Sequence, residues 1–138
     1  MYQRGRPADH VFDPREELYR RIRSQDYVEG SGLYVPFPVF SVNRQKYSEP
    51  GDVLFSFGPE WGAVSFVVSA IPSPLESEGE DHVICSFEVM HVPMEDNYAH
   101  SEVHTLKGDI RNPKKIPDTV KKKFRQILGE RCRLLRLP

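Results

Sequence analysis

Strict alternation of apolar and polar residues marks most of the chain. In "HVICSFEVMHV" the stripe is Val83, Cys85, Phe87 and Val89, and in "AVSFVVSAI" Val64, Phe66, Val68 and Ala70 stand against Ser65, Val67 and Ser69. Period-two patterns rich in β-branched and aromatic residues predict half-buried or central strands. "VFSVNR" alternates the same way, with Phe40 and Val42 on one face and Ser41 and Asn43 on the other. "DVLFSF" reads as a short strand stopped by Gly58 and Pro59, Ala99 to Leu106 as a strand burying Val103, and "RCRLLRL" as a last strand. Two segments carry helical signals instead. "PDTVKKKFRQILG" sets Val120, Phe124, Ile127 and Leu128 on one face, turns Lys122 and Arg125 outward, and offers Gly129 as a stop. "DPREELYRRIRS" has an Asp cap, Pro at the first helical position, acids in the first turn, and Leu18 and Ile22 four apart. A short helix is favoured there, with a strand that places Leu18, Arg20 and Ile22 on one face as the alternative. The sum is an α+β fold: residues 13–138 form a single domain built on a mostly antiparallel sheet of five or six strands with two helices. Residues 1–12, rich in Arg, Gly, Pro and Asp, read as a flexible N-terminus.

Composition narrows the class. With 138 residues, 38% hydrophobic and 28% charged, the chain is globular and long enough to bury a core without disulfides or metal as staples. No window approaches the roughly 18 apolar residues of a membrane span, and "MYQRGRPADH" has no apolar leader region, so a cytoplasmic protein without membrane contact is expected. Cys85 and Cys132 belong to no CxxC pair and read as small buried hydrophobes. The charge is lopsided: residues 1–106 hold 17 acids against 8 Lys and Arg, whereas residues 107–138 hold 11 Lys and Arg against 3 acids. The basic tail therefore either packs on the acidic body or meets an anionic partner, and the first is the plainer expectation.

Candidate chemistry centres on "MEDNYAHSEVHTL", where His100, Glu102 and His104 stand at every second position. Along a strand, His100 and His104 would lie about 13 Å apart at roughly 3.3 Å per residue, too far to share one ion. A pair two apart would need further ligands, for which His91, Asp96 and His82 are the candidates, and no metal is expected. The plainest reading is a solvated strand face. A metal-free site is the alternative. There His100 serves as general acid or base tuned by Glu102, while Asn97 and Tyr98 donate hydrogen bonds from the preceding turn. An anion anchor would come from Arg20 and Arg21, and from Ser41, Asn43 and Arg44 at the end of their strand, because guanidinium forks match phosphate or carboxylate. Ordinary alternatives are surface ion pairs of the arginines with Glu16 and Glu17, and turn-capping bonds by Ser41 and Asn43. Both polar segments should gather on the uncovered face of the sheet.

Leu18 to Ile22 ("LYRRI"), Ser41 to Arg44 ("SVNR") and Asn97 to His100 ("NYAH") occur in an order that resembles a group of small uncharacterised bacterial domains. That resemblance spans residues 18–106 and brings no reaction with it. The order of an arginine, a serine and a glutamate on successive elements also looks like the Arg, Ser, Glu pattern of ADP-ribosyltransferases. It implies that Arg20 or Arg21 and Ser41 would position NAD, and that Glu102 would steady the sugar hydroxyl and its oxocarbenium chemistry. Neither a GxSxG elbow nor a glycine-rich phosphate loop occurs.

The leading expectation is thus a polar pocket for a nucleotide-like or other anionic ligand, of which an NAD-using ADP-ribosyltransferase-like activity is one form. No cofactor is named by the residues themselves. The alternative is a non-catalytic module for nucleic acid or protein that uses Lys114, Lys115, Lys121, Lys122, Lys123 and Arg125. The acidic body would repel a polyanion, so nucleic-acid binding is expected to be weak or absent.

Overall fold

The structure, a computed structural model, describes residues 6–28, 32–54, 57–77 and 82–136. The acid-rich stretch "PSPLESEGED", Pro72 to Asp81, lacks residues 78–81 in this set, and "DVLFSF" lacks Phe55 and Ser56. In chain order the strands are β1 (Glu17–Arg23), β2 (Tyr27–Val28), β3 (Gly32–Leu33), β4 (Val39–Arg44), β5 (Trp61–Val67), β6 (Leu75–Glu76), β7 (Ile84–His91), β8 (His100–Lys107), β9 (Ile110–Arg111) and β10 (Arg133–Arg136). One α-helix, α1 (Asp118–Arg131), precedes the last strand. Eight strands form one sheet in the order β10-β5-β1-β4-β8-β7-β6, with β9 on β8, and β2 pairs with β3. Every pairing is antiparallel.

The expected α+β domain of five or six strands and two helices is therefore corrected to a mostly β fold: an eight-stranded antiparallel sheet with, among the described residues, a single α-helix. The difference arises at "DPREELYRRIRS". Asp13 does cap, but it caps one turn only: its side chain accepts the Arg15 amide at 2.8 Å and its carbonyl accepts the Glu16 amide at 3.0 Å. From Glu17 onward the chain is β1, paired with β5 at seven positions and with β4 at two. Two waiting strand edges outweigh a helix propensity of a few tenths of a kcal/mol per residue. "DVLFSF" departs as well, because Pro50–Leu54 is a 3₁₀ helix in which Asp52 accepts the Glu49 amide. The β5 pattern ends early in another 3₁₀ turn, Val68–Ala70.

The two faces of the sheet have different fates. On one, Leu18, Ile22, Phe40, Val42, Val64, Phe66, Cys85, Phe87 and Val103 form the core beneath α1. Val120, Phe124 and Leu128 of α1 are fully buried, with the Phe124 ring 4.4 Å from that of Phe87 and 5.3 Å from that of Phe37. At about 1.5–3 kcal/mol for each such side chain, this packing outweighs the repulsion among Lys121, Lys122 and Lys123. Cys85 and Cys132 are both free, and Cys85 is buried. The opposite face carries a small apolar cluster of Tyr19, Val53 and Ala63, with Leu54 and Leu135 packed against it and the Pro50–Leu54 turn over it.

Residues 6–12 belong to the stretch expected to be flexible, yet they pack on the sheet as a strap. Arg44, wholly buried, donates to Glu16 from Nε at 3.0 Å and from Nη2 at 2.8 Å, and to the Asp9 and Val11 carbonyls at 2.7 and 2.8 Å. Asp9 in turn binds Lys46 and the Tyr47 hydroxyl, which hold its carboxyl well below the usual carboxylate range. Its amide donates to His91 Nδ1, so the His91 Nε2 proton goes to the Tyr98 carbonyl. Burial, together with the Arg44 charge, holds the His91 imidazole below its ordinary value, which keeps it neutral in this role.

Gly129 was expected to stop the helix, but α1 runs two residues past it. A Cβ on Gly129 would sit 2.5 Å from the Gly32 Cα and 2.7 Å from the Leu33 amide nitrogen, so the glycine is required by close helix-to-strand contact. Gly129→Ala gains about 1 kcal/mol of helix propensity but forces backbone apart at a cost of about 1–3 kcal/mol. The variant should be net destabilised, and a urea midpoint at or above that of the parent would refute the close contact. Arg44→Met should cost about 3–5 kcal/mol, because Glu16 is left as a buried charge without its partner. Adding Glu16→Gln should recover part of that loss in the same denaturation assay; strictly additive losses would show that the pair is not coupled.

Candidate functional site

β1 and β4 pair only at Leu18 with Arg44 and at Tyr19 with Asn43, and beyond these positions the strands part. The gap opens a cleft of about 940 Å³, whose lining includes Tyr19, Arg20, Arg21, Arg23, Ser41, Asn43, Asn97 and His100. Aromatic and thioether groups stand at its rim: Tyr34, Phe57 and Met94 are exposed, and Trp61 lines the wall. The lining is thus mostly polar and charged, with aromatic rings at the rim, and is more polar than the usual small-molecule pocket.

The arginines are positioned by the splay. Arg20 donates from Nη1 to the Ser41 carbonyl at 2.8 Å, filling the place of a missing ladder bond, and lies over the Phe40 ring. Arg21 donates to the Val53 carbonyl at 3.3 Å and stacks 3.7 Å above Phe57. Arg23 lies over Trp61 at 4.5 Å. Among the described residues no carboxylate forms an ion pair with Arg20, Arg21 or Arg23, and the buried Nε of both Arg20 and Arg21 lacks a partner. Burial lowers the Arg20 pKa to about 10, partly offset by the nearby Asp26. Burial and the Arg23 charge lower that of Arg21. Asp26, Asp52 and Asp96 share the lining and balance the three arginines in formal charge, yet among the described residues none of them forms an ion pair with these arginines, and the Nε donors of Arg20 and Arg21 stay open.

Ser41 and Glu102 are direct partners across β4 and β8, and so are Asn43 and His100. The two polar segments therefore meet on the uncovered face. His100 bonds through Nδ1 to the Val92 carbonyl at 2.8 Å and through Nε2 to Ser41 Oγ at 3.2 Å. Asn97 donates from its amide to Asn43 Oδ1 at 2.7 Å. Glu102 lies next to Ser41, but its carboxylate accepts from His104 Nε2 at 3.0 Å, so its hydrogen-bond partner is His104 and not His100.

No family model matches the chain, and neither does any curated protein or solved structure. The site therefore stands on its geometry.

Of the residues singled out from sequence, Arg20, Arg21, Ser41, Asn43, Asn97 and His100 converge on the cleft. Two do not. Arg44 projects to the opposite face, since alternation along β4 separates it from Ser41 and Asn43, and it is consumed by Glu16 and the strap. Tyr98 is buried in the strap's aromatic cluster, its hydroxyl donating to the Pro7 carbonyl at 2.6 Å. Among the described residues no group of three His, Cys, Asp or Glu could hold a metal ion.

In the alternative basic set, Lys114, Lys115 and Lys122 are exposed, and Lys121 and Lys123 are partly so. Arg125, expected to face outward, instead folds back and donates from Nε and Nη2 to the Val35 carbonyl, between Tyr34 and Phe37. Sequence reasoning missed Tyr19, Arg23, Tyr34, Phe57 and Trp61. The strand alternative for "ELYRRIR" already places Tyr19, Arg21 and Arg23 on one face, and the single tryptophan was the remaining signal.

An anion entering the cleft should stabilise the fold by mass action. At matched ionic strength, low-millimolar pyrophosphate is expected to raise the thermal midpoint by about 3 °C over chloride, the shift of roughly 1 kcal/mol in a domain of this size. Arg21→Gln should abolish the difference. Equal midpoints in the two salts would mean that the arginines are satisfied within the fold.

Proposed function

We propose that the chain binds a small nucleotide-like anion in the cleft between β1 and β4. The reading is carried by one observation: Arg20 and Arg21 face a cleft of nucleotide size beside exposed aromatic rings, and among the described residues no carboxylate forms an ion pair with either. Guanidinium forks suit the phosphoryl oxygens, and Trp61, Phe57 or Tyr34 offers a face on which a base can stack. Asn43, Asn97, Asp52 and Asp96 line the same cleft and can hydrogen-bond ribose hydroxyls or base edges.

The ADP-ribosyltransferase-like form of this reading draws support from the pairing of Ser41 with Glu102 beside the β1 arginines. It is weakened by Glu102, which is bonded to His104 and stands outside the cleft lining. Ligand binding centred on the arginines, Ser41 and His100 fits better.

Trp61 is the only tryptophan, and it lies against Arg23 in the cleft wall, so its emission is a direct reporter. Titration with ADP should change it saturably, with adenosine and pyrophosphate each binding more weakly than ADP. Arg21→Gln should weaken ADP at least about tenfold, the loss of one charge-assisted bond of about 1.5 kcal/mol or more. An unchanged emission spectrum up to millimolar ADP, or equal responses to ADP and adenosine, would defeat the proposal.

A further inference from the structure

We propose that Ser41 is a nucleophile activated by His100, and that the cleft transfers a phosphoryl group from a nucleotide-like phosphoester through a covalent intermediate on Ser41. The inference rests on the ligand reading above and adds a reaction to it.

The Val92 carbonyl can only accept, so the His100 nitrogen that faces it, Nδ1, must carry the ring proton. The neutral imidazole then presents a bare lone pair at Nε2, 3.2 Å from Ser41 Oγ, which donates its hydroxyl proton toward it. Both ends of this arrangement are fixed by backbone. The Val92 amide donates to the His100 carbonyl at 3.0 Å, which locks the carbonyl that orients the ring, and the His100 amide donates to the Asn97 carbonyl at 3.2 Å. Ser41 sits on regular β-strand, held from below by Arg20 on its own carbonyl, and its side chain is exposed to the cleft. Nucleophile, base and an orienting third group are thus present in the order that serine activation requires, with a carbonyl in place of the usual carboxylate. A carbonyl fixes the tautomer but supplies no full negative charge to stabilise an imidazolium. The pair should therefore be slower than a triad with an acid, and best suited to a substrate that brings a good leaving group.

The phosphoryl class follows from what surrounds Ser41. Arg20 holds the carbonyl of Ser41 itself and lines the cleft with it and Arg21, among the described residues its buried Nε has no partner, and guanidinium donors match the equatorial oxygens of a phosphoryl group in transfer. In the first step the Ser41 Oγ electron pair forms a bond to phosphorus as the bond from phosphorus to the leaving oxygen breaks. The hydroxyl proton passes to His100 Nε2 and from there to the leaving oxygen. In the second, water gives a proton to His100 Nε2 and attacks phosphorus, the bond to Ser41 breaks, and Ser41 recovers the proton. The sum is hydrolysis of the phosphoester, and it needs no reactant besides water.

The test uses a fluorophosphonate probe on the full chain, because phosphorylation of a serine by such a probe depends on the nucleophile and not on knowing the natural substrate. Attack on phosphorus expels fluoride and leaves one adduct. Intact mass and peptide mapping should place that adduct on Ser41. Ser41→Ala should remove it, and His100→Gln, which keeps an amide for the Val92 carbonyl, should slow it by about 100-fold or more. Trp61 emission and the urea midpoint verify that each variant is folded. A folded parent protein in which Ser41 takes no label, or takes it at the same rate in His100→Gln, overturns the dyad. The ADP titration separates the two proposals: saturable ADP binding with an inert Ser41 refutes the reaction and keeps the ligand site, whereas labelling that ADP does not slow keeps the dyad and refutes the shared cleft.

Discussion

The buried Arg44 guanidinium is the contact on which the remaining geometry depends. It lies at the last point where β1 and β4 are still paired, opposite Leu18, and it binds Glu16 in a two-bond fork while gathering the carbonyls of Asp9 and Val11. A charge with no exposure is tolerated only when its donors are engaged, and here three residues of one N-terminal segment, Asp9, Val11 and Glu16, supply the acceptors. The arrangement specifies a register. A shift of β4 by one residue would carry Arg44 to the solvent side and drive Ser41 and Asn43 into the core. The register that buries Arg44 is the one that presents Ser41 to His100.

From that pinned end the two strands diverge, and the divergence creates both the cleft and its charge. Ladder bonds are missing where β1 and β4 part, and Arg20 takes up one acceptor left there, the Ser41 carbonyl, while Arg21 bonds the Val53 carbonyl of the adjacent Pro50–Leu54 turn. Arginine is suited to such a place because a single fork can bond a carbonyl while stacking on an aromatic ring and still keep donors in hand. Leaving the Nε atoms without partners costs stability, and a fold under no other demand would place a carboxylate or a leucine there. These open, partly buried donors are the groups that the proposed anion would complete.

The sequence disclosed the strands that alternate cleanly and concealed those whose fate depends on distant neighbours. β4, β5, β7 and β8 read directly from Phe40 and Val42, Val64 and Phe66, Cys85 and Phe87, and Val103, because one covered face imposes period two. Glu17–Arg23 misled because Asp13 and Pro14 form a real cap, and only the pairing with β4 and β5, decided far away in the chain, ends that turn and extends the rest. The same blindness affected Arg44. It stood in one motif with Ser41 and Asn43, yet period-two alternation already assigned it to the other face. Residues of the cleft that come from Tyr34, Phe57 and Trp61 belong to irregular or strand-end positions, where no periodicity marks a direction.

The basic tail shows how a lopsided charge distribution can be resolved inside a fold. Arg133 bonds the Glu17 carboxylate at 2.7 Å, Arg131 donates to the Ala70 carbonyl at 3.0 Å, and Arg125 donates to that of Val35. Three tail arginines therefore serve as ties from α1 and β10 to the sheet, while the lysines carry the exposed charge. The separation is physical: a planar fork can satisfy a carbonyl and pack on a ring, whereas an ammonium is held by its hydration. By contrast the arginines of β1 line a concave, partly dry space where a screened surface charge could not act, since salt weakens exposed pairs far more than partly buried ones. The proposed anion site is thus the Arg20 and Arg21 cleft, although the largest formal positive charge lies in the tail.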